Sequence, residues 1–412
     1  MSVRTRTRQA ATADSAQAGY APGSREYRRV VVALTCAGLA TFAQLYSPQG
    51  ILPLISARLH VTAAHSALLI SAATIGLAAG ALPWAWLGDR IGRLTAMKSA
   101  MAAATLCGAL GLLMPGFGAV LVLRVAEGFA LGGVPVLAIA YLGDQVSPAF
   151  TARAAAVYVS GTSIGGLAGR LVAAPIAEWF GWRIGMASVL GFAAVATAVF
   201  MVIAPAVRTP GRPEGKGHGT RRAALRALLE PGLLALYAVG FLLMGGFVAV
   251  YNYLAFRLRA APFGLPTTVT SLLFLAYLAG TVSSQRAGRL AGRRGRLGVL
   301  LGAIAVFILG VGLTLVPALP VIVVGLVVLT AGFFAAHAIA SGWAGVRAPA
   351  GGAQAPALYN VAYYAGSSVM GWFGGIVFVG MGWVGLVGLV AVLAAAAAGL
   401  AVSTLRGAET VG

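Results

Sequence analysis

Four ionisable residues lie inside long apolar runs of the sequence: Arg124, Glu127, Arg170 and His337. A charge in an apolar medium is costly unless it is paired, so such residues indicate function. Arg124 and Glu127 are three residues apart and share one face of a helix. They can form an ion pair when Glu127 is ionised, and protonation of Glu127 frees Arg124. We therefore predict that Glu127, Arg124 and His337 bind and release protons; the alternative for His337 is a neutral, hydrogen-bonded core histidine.

A second group of polar residues in apolar runs could contact a solute. Arg124, Glu127 and Arg170 are expected to face a cavity, because charges inside an apolar segment are tolerated where they face an interior cavity. We predict that the cavity is lined by Arg170, Gln44, Tyr158 and Asn252. Amide and aromatic groups of this kind suit neutral or mildly polar solutes, whereas the arginines are also compatible with anionic solutes.

The elements that hold these residues must be membrane-spanning helices. Hydrophobic residues make up 59% of the 412 residues and charged residues only 9%, against about 25% charged in soluble domains. Runs near the roughly 20 residues that a spanning helix needs recur along the chain. We predict twelve: 30–52, 66–87, 95–114, 118–142, 152–175, 183–205, 232–256, 267–285, 298–316, 320–343, 356–379 and 383–405.

The net charge of +20 does not indicate nucleic-acid binding, because the basic residues lie in short loops between apolar runs. With the N-terminus inside, 23 of the 29 Lys and Arg residues fall on the cytoplasmic side and 4 on the outer side. This asymmetry follows the positive-inside rule and predicts that both termini are cytoplasmic.

Composition divides the chain into two halves. We predict a disordered cytoplasmic tail at 1–28, a six-helix bundle at 29–205, a cytoplasmic linker at 206–230, a second six-helix bundle at 231–406 and a short tail at 407–412. Residues 221–232 could form an amphipathic interfacial helix or part of a solvated linker.

The two halves resemble each other in sequence. Leu87, Gly92 and Arg93 match Leu290, Gly295 and Arg296 at an offset of 203. The segment YVSGTSIGG (158–166) matches YYAGSSVMG (363–371) at an offset of 205. A duplicated six-helix unit is typical of one large class of secondary transporters.

These segments resemble the major facilitator superfamily over residues 28–405. LGDRIGR (87–93) resembles its signature loop G-x-L-a-D-R-x-G-R-[RK], with Ala85 at the first Gly and Leu94 at the last basic position. RVAEG (124–128) is similar to the fourth-helix motif R-x-x-Q-G, with Glu127 at the Gln position. GTSIGGLAG (161–169) resembles the fifth-helix glycine motif of antiporters without its Pro. The C-terminal segments GFFAAHAIASGW (332–343) and LYNVAYYAGSSVMG (358–371) look most like the YnfM-type, arabinose-efflux-permease-like branch.

The resemblance implies roles for the loop after the second helix. Asp89, Arg90, Gly92 and Arg93 would form a conformational latch that stabilises the outward-facing state, and its arginines would pair with an acid such as Asp144. Plain positive-inside anchoring by Arg90 and Arg93 is the alternative. Small residues allow close helix packing, and as a set they could form a rocking interface: Gly161, Gly165, Gly166, Gly169, Gly366 and Gly371.

The function implied is proton-coupled efflux, by antiport, of a small organic solute such as a sugar or drug. Proton-coupled import of a sugar or organic anion is the alternative, and a non-transporting membrane sensor is a third possibility. The expected partners are a small-molecule substrate, protons and the lipid bilayer of a bacterial inner membrane. We expect a monomer with no cofactor, no metal and no enzymatic activity, and the absence of a GxxxxGK[ST] loop argues against ATP-driven transport.

Overall fold

The computed structural model describes residues 19–206, 228–348 and 354–406, and long helices make up almost all of this part. The tails 1–18 and 407–412 and most of the predicted linker, including residues 221–227 of the possible amphipathic helix, lie outside it. The helices in chain order are α1 (Arg25–Leu59), α2 (Ala63–Ile91), α3 (Arg93–Leu113), α4 (Phe117–Gln145), α5 (Pro148–Phe180), α6 (Trp182–Ile203), α7 (Pro231–Arg259), α8 (Thr267–Arg294), α9 (Arg296–Leu313), α10 (Leu319–Val346), and α11 and α12, which share the run Gln354–Leu405.

The run Gln354–Leu405 is divided at Gly382, whose backbone φ of 66° and ψ of −162° are not helical. Glycine has no Cβ and adopts a positive φ without steric cost, so the chain can reverse here. Ten helical runs of the described chain are long and apolar enough to cross a membrane, counting this 52-residue run once. Together with the 33-residue α5, they are consistent with the twelve predicted spans.

Helix α1 is interrupted near its outer third. The regular helix ends at Tyr46, a 3₁₀ turn covers Gln49–Ile51, and a short helix follows at Leu52–Leu59. The interruption follows from Pro48, because proline has no N–H to donate to the Gln44 carbonyl four residues earlier. Carbonyl oxygens at the end of this helix are therefore available to side chains from other helices.

Glycines bring α5 against α1 and α11 against α7. A Cβ on Gly161 would lie 2.9 Å from the Thr35 carbonyl oxygen, and one on Gly165 would lie 2.7 Å from Leu39 Cα. In the second half, a Cβ on Gly366 would lie 2.7 Å from Phe241 Cα. Only residues without a Cβ fit such contacts, and the two helix pairs occupy equivalent positions in the sequence repeat.

We call the face nearest Arg25 the inner face and the opposite one the outer face. Polar contacts join α1–α6 to α7–α12 between the outer face and the middle of the bundle. Glu178 accepts hydrogen bonds from the backbone N–H groups of Thr267 (3.0 Å) and Thr268 (2.9 Å). Ser71 Oγ donates to the Ser368 carbonyl (2.8 Å). These contacts close the outer side.

Near the inner face, two ion pairs join helices within one half. Arg93 Nη1 lies 2.7 Å from Asp144 Oδ2 in the first half. Arg347 Nη2 lies 2.6 Å from Glu230 Oε1 in the second. The hydrogen bonds from Arg347 hold the pKa of the Glu230 carboxyl below its ordinary value. Polar contacts therefore join the two halves on the outer side, whereas the ion pairs near the inner face join helices of the same half.

Candidate functional site

The ion pair predicted between Arg124 and Glu127 is present and buried in the first half. Arg124 Nη1 lies 2.8 Å from Glu127 Oε2, and the two residues are 2% and 3% exposed. Arg124 also donates to three backbone carbonyls: Leu69 on α2 (3.1 Å), and Gln44 (3.2 Å) and Leu45 (2.6 Å) on α1. Its charge is therefore compensated by one carboxylate and by oxygens that the break in α1 leaves available.

Close packing of α4 on α2 positions this pair. The hypothetical Cβ of Gly128 would lie 2.7 Å from Ala73 Cα, and Gly132 makes the same kind of contact with Leu77. The spacing of four residues repeats one turn earlier, where Arg124 reaches the Leu69 carbonyl. Two glycines at helical spacing thus bring the guanidinium against the α2 backbone.

The Arg124–Glu127 pair lies within the first half, beside a crevice and away from the boundary with the second half. Glu127 points toward α3, where a Cβ on Gly108 would lie 3.4 Å from its Oε1. A narrow crevice beside the pair runs between α3, α4 and α6 toward the outer face; it is lined by Cys107, Gly108, Gly111, Leu112, Val120, Leu123, Trp182 and Met186. Arg124 donates hydrogen bonds to carbonyls of α1 and α2, which belong to the first half, and Glu127 forms its ion pair with Arg124 there.

Arg170 lies at the boundary between the halves and is 3% exposed. Its guanidinium carbon stands over three aromatic rings, with centroids at 4.0 Å for Tyr46, 4.8 Å for Tyr277 and 5.1 Å for Phe274. Tyr277 and Phe274 belong to α8, so the cation of the first half is partly enclosed by the second. Cation–π contacts of this kind offset part of the desolvation cost.

A chain of amide groups continues from Arg170 across the boundary. Arg170 Nε donates to Gln49 Oε1 (2.7 Å), and Gln49 Nε2 donates to Asn252 Oδ1 (2.7 Å). Gln49 was not predicted as a site residue, although a signal was available. It precedes Asn252 by 203 residues, the offset of the first sequence repeat, so equivalent positions of the two halves meet here.

The other predicted cavity residues have different surroundings. Gln44 is buried beside Glu127 inside the first half, where it lines a small crevice. Asn252 lies at that boundary, and its Nδ2 has no hydrogen-bond partner among the described residues. Tyr158 is buried against Gly38 of α1, and its hydroxyl has no hydrogen-bond partner among the described residues.

His337 lies in the second half among aromatic rings. Its Nδ1 is 3.0 Å from the Tyr359 hydroxyl, and its ring centroid is 4.7 Å from that of Tyr363. No residue of the Arg124–Glu127 pair contacts it. These contacts match the hydrogen-bonded alternative that the sequence left open.

The predicted latch residues make different contacts at the inner face. Arg93 pairs with Asp144 and also donates to the Ala140 carbonyl (2.8 Å). Arg90 stacks on Trp86, with its guanidinium carbon 3.8 Å from the ring centroid. Gly92 connects α2 and α3 with φ at 91°. Asp89 is exposed, and its side chain makes no hydrogen bond or ion pair within the described part of the chain.

Most of the predicted glycines pack helices within one half. Gly161, Gly165 and Gly169 contact α1, Gly366 contacts α7, and Gly166 lies beside Arg170. The glycines at the boundary between the halves are Gly371, whose Cβ would be 3.5 Å from Ser71 Oγ, and Gly375, which lies against Ala64 of α2. Of the predicted set, Gly371 contacts the other half, whereas Gly161, Gly165, Gly169 and Gly366 pack helices of the same half; the rocking interface stays a prediction.

Comparison with known proteins agrees with this architecture. The family model described as Major Facilitator Superfamily matches residues 34–371. The chain belongs to the major facilitator superfamily. It is 39% identical over 365 residues to the inner membrane transport protein YnfM of Escherichia coli, covering 88% of this chain and 87% of that protein. The uncharacterized transporter YybF of Bacillus subtilis is 34% identical over 366 residues, covering 88% and 90%.

Solved structures share this superfamily fold at low identity. A bacterial homolog of the human lysosomal transporter Spinster, in an inward-facing and occupied conformation, matches with a TM-score of 0.75 at 16% identity, over 94% of this chain and 99% of that one. The nucleoside transporter NupG matches with a TM-score of 0.72 at 12% identity, over 90% and 99%. The all-α major facilitator fold predicted from the sequence is confirmed.

Proposed function

We propose that this protein is a proton-coupled secondary transporter that exports a small organic solute by antiport across a bacterial inner membrane. Both termini are cytoplasmic, the inner face is the cytoplasmic face, and the protein acts as a monomer. The location agrees with the inner membrane transport protein that it resembles and with the distribution of basic residues.

The observation that carries the proposal is the buried Arg124–Glu127 pair. Ionised Glu127 makes the pair neutral, whereas protonated Glu127 leaves a net positive charge in the first half. Burial of an uncompensated charge is strongly unfavourable, so protonation changes the stability of the arrangement of α1, α2 and α4 around Arg124. Proton binding can thereby shift the balance between two conformations of the transporter.

The direction of transport is supported by the crevice beside Glu127. It extends between α3, α4 and α6 toward the outer face, while the contacts of Glu178 and Ser71 close the boundary between the halves on that side. We infer that a proton from outside approaches Glu127 along this crevice, which is separate from the boundary between the halves. Separate routes for the two species suit exchange in opposite directions.

Import of a sugar or an organic anion is the second candidate. Arg170 favours an anion in particular, because it is a buried cation at the boundary between the halves. In an importer, the proton and the solute would enter together, and transport would need an inward proton gradient.

The test uses a solute identified by comparing metabolites of a deletion strain with those of an overexpressing strain. In everted vesicles, the solute should trigger proton release from preloaded vesicles if the protein is an antiporter. Glu127→Gln should remove the pH dependence of transport while solute binding persists, because the amide keeps the shape of the side chain but cannot bind a proton.

Glu26→Gln is the matched control, since Glu26 lies in the first turn of α1 at the inner face and should leave the pH dependence unchanged. Normal pH dependence in Glu127→Gln would move proton binding elsewhere, with His337 as the next residue to test. Movement of no solute in any membrane preparation would instead favour a sensor.

A further inference from the structure

The two arginines buried in the first half differ in charge compensation. Arg124 has Glu127 and three carbonyls, whereas the ion pairs of the described chain leave Arg170 without an acidic partner. Glu178, eight residues later on α5, is held by Thr267 and Thr268. Buried charges in proteins are normally paired, and an arginine stays protonated. Arg170 therefore carries a positive charge that a negative ligand could neutralise.

The Arg170 guanidinium also retains N–H donors that have no strong hydrogen-bond partner in the described part of the chain. It has five N–H donors. In the described part of the chain, one is given to Gln49 and one to the Gly166 carbonyl (2.6 Å), and the Tyr277 hydroxyl lies at 3.5 Å from Nη2. That last contact is at the limit of a hydrogen bond. An anion can thus bind at Nη2 by displacing a weak contact rather than a strong one.

The surroundings restrict what kind of anion fits. The rings of Tyr46 and Tyr277 cover the faces of the Arg170 guanidinium. A ligand would therefore meet this group in its plane, at the N–H donors of Nη2. A carboxylate is planar and matches this fork with two parallel hydrogen bonds. Next to it, half-buried aromatic side chains of the second half offer an apolar surface: Tyr277, Phe334, Tyr363 and Tyr364.

The repeat shows that this charge belongs to one half only. Gly166 matches Gly371 at an offset of 205, and the same offset relates Arg170 to Gly375. Gly375 provides no side chain and lies against Ala64. The repeat therefore supplies one cation at this pair of positions in the described chain, which suits a ligand with a single negative charge.

We propose that Arg170, with Gln49, Tyr46 and Tyr277, binds the carboxylate of an organic monoanion whose body is apolar or aromatic. This inference rests on the proposed transport function and names the class of its substrate. Anion binding at Nη2 competes with the Tyr277 hydroxyl, so substrate occupancy weakens one contact between α5 and α8. Occupancy of the site is thereby connected to the closed outer boundary.

The test is equilibrium binding to the purified protein, with benzoate as the probe at pH 7 and radiolabelled benzoate for quantification. Benzamide has the same shape without the charge, and benzylammonium has the opposite charge. The expected result is saturable binding of benzoate, and of hexanoate in competition, with benzamide and benzylammonium binding at least roughly tenfold more weakly, as for one lost charge-assisted pair.

Variants locate the site. Arg170→Gln should weaken benzoate binding by roughly tenfold or more, and Arg170→Lys should recover part of it because the charge is kept but the planar fork is lost. Arg183→Gln is the matched control, since Arg183 donates to the Leu112 and Met114 carbonyls near the outer face and should bind benzoate normally. Elution as a monodisperse peak from size-exclusion chromatography verifies that each variant is folded.

Three results would overturn the proposal: equal binding of benzoate and benzamide by the wild-type protein, unchanged benzoate binding by folded Arg170→Gln, or no binding of any carboxylate in the panel. The first and third need no variant, so misfolding cannot hide them. Binding in detergent requires no proton gradient. A proton-coupled exporter of a neutral solute would therefore fail here and still pass the vesicle test above.

Discussion

At the scale of single residues, burial alone does not assign a role. Arg124 and Arg170 are almost equally buried, but the first is held by a carboxylate and backbone oxygens and the second by amides and aromatic rings. The sequence predicted the first pair because its partners are three residues apart. It did not predict that Pro48 would leave carbonyls for Arg124, or that Gln49 would reach Arg170, because those contacts depend on the interruption of α1.

At this scale, the prediction concerns the effect of Asp89 on the rate of transport. Asp89 is exposed, and its side chain makes no hydrogen bond or ion pair in the part of the chain described, while the outer side of the protein is closed. If Asp89 forms its contact in the opposite, outward-facing state, Asp89→Asn should slow transport by roughly tenfold, the scale of one charge-assisted hydrogen bond. Transport rate in everted vesicles at matched expression is the measurement.

The internal repeat provides the control for Asp89. Arg289→Ala changes the equivalent loop of the second half, where Gly292 replaces the acid, and should be tolerated better. A wild-type rate for Asp89→Asn would mean that this loop only anchors the helices in the membrane.

At the scale of helices, spacing in the sequence carried much of the correct information. The runs of apolar residues located the helices, although α1 and α8 extend to Leu59 and Arg294, well past their predicted ends at 52 and 285. The glycine spacing of four on α5 predicted a close contact. The partner of that face could not be predicted, since steps of four describe one helix and not its neighbour. The structure shows α1 as the partner, so these glycines set the packing inside the first half.

This packing should be sensitive to a single methyl group. Gly165→Ala would place a Cβ 2.7 Å from Leu39 Cα, and overpacking of this kind destabilises by about 1–3 kcal/mol. We expect a lower thermal unfolding midpoint for the purified protein. Gly191→Ala on α6 is the matched control, because nothing lies within 4 Å of its added Cβ and alanine favours the helix over glycine by about 1 kcal/mol. Equal midpoints for the two variants would argue against a tight α1–α5 contact.

At the scale of the whole molecule, the repeat explains which residues can meet between the halves. Gln49 and Asn252 are related by the offset of 203 and share a hydrogen bond at the boundary. The sequence contained the offset, and a search for polar residues related by it would have found this pair. The state of the molecule could not be predicted in that way, because the apolar runs and the repeat belong to the sequence and are shared by every conformation that it adopts.

The closed outer boundary leads to a prediction about the transport cycle. Thr74 Oγ1 of α2 and Ser368 Oγ of α11 are 2.7 Å apart across the boundary, so sulfur atoms at these two positions would lie near the roughly 2.05 Å separation of a disulfide. In a background with Cys36 and Cys107 replaced by serine, the double variant Thr74→Cys/Ser368→Cys should therefore form a cross-link under mild oxidation. Because transport by alternating access requires the outer side to open, the oxidised protein should be inactive, and a reducing agent should restore the rate.

Each single variant, treated identically, should transport normally, which separates the cross-link from damage by the oxidant. Full transport by quantitatively cross-linked protein would mean that α2 and α11 stay together at this level throughout the cycle, and the opening would then have to occur between α5 and α8, where Glu178 holds Thr267 and Thr268.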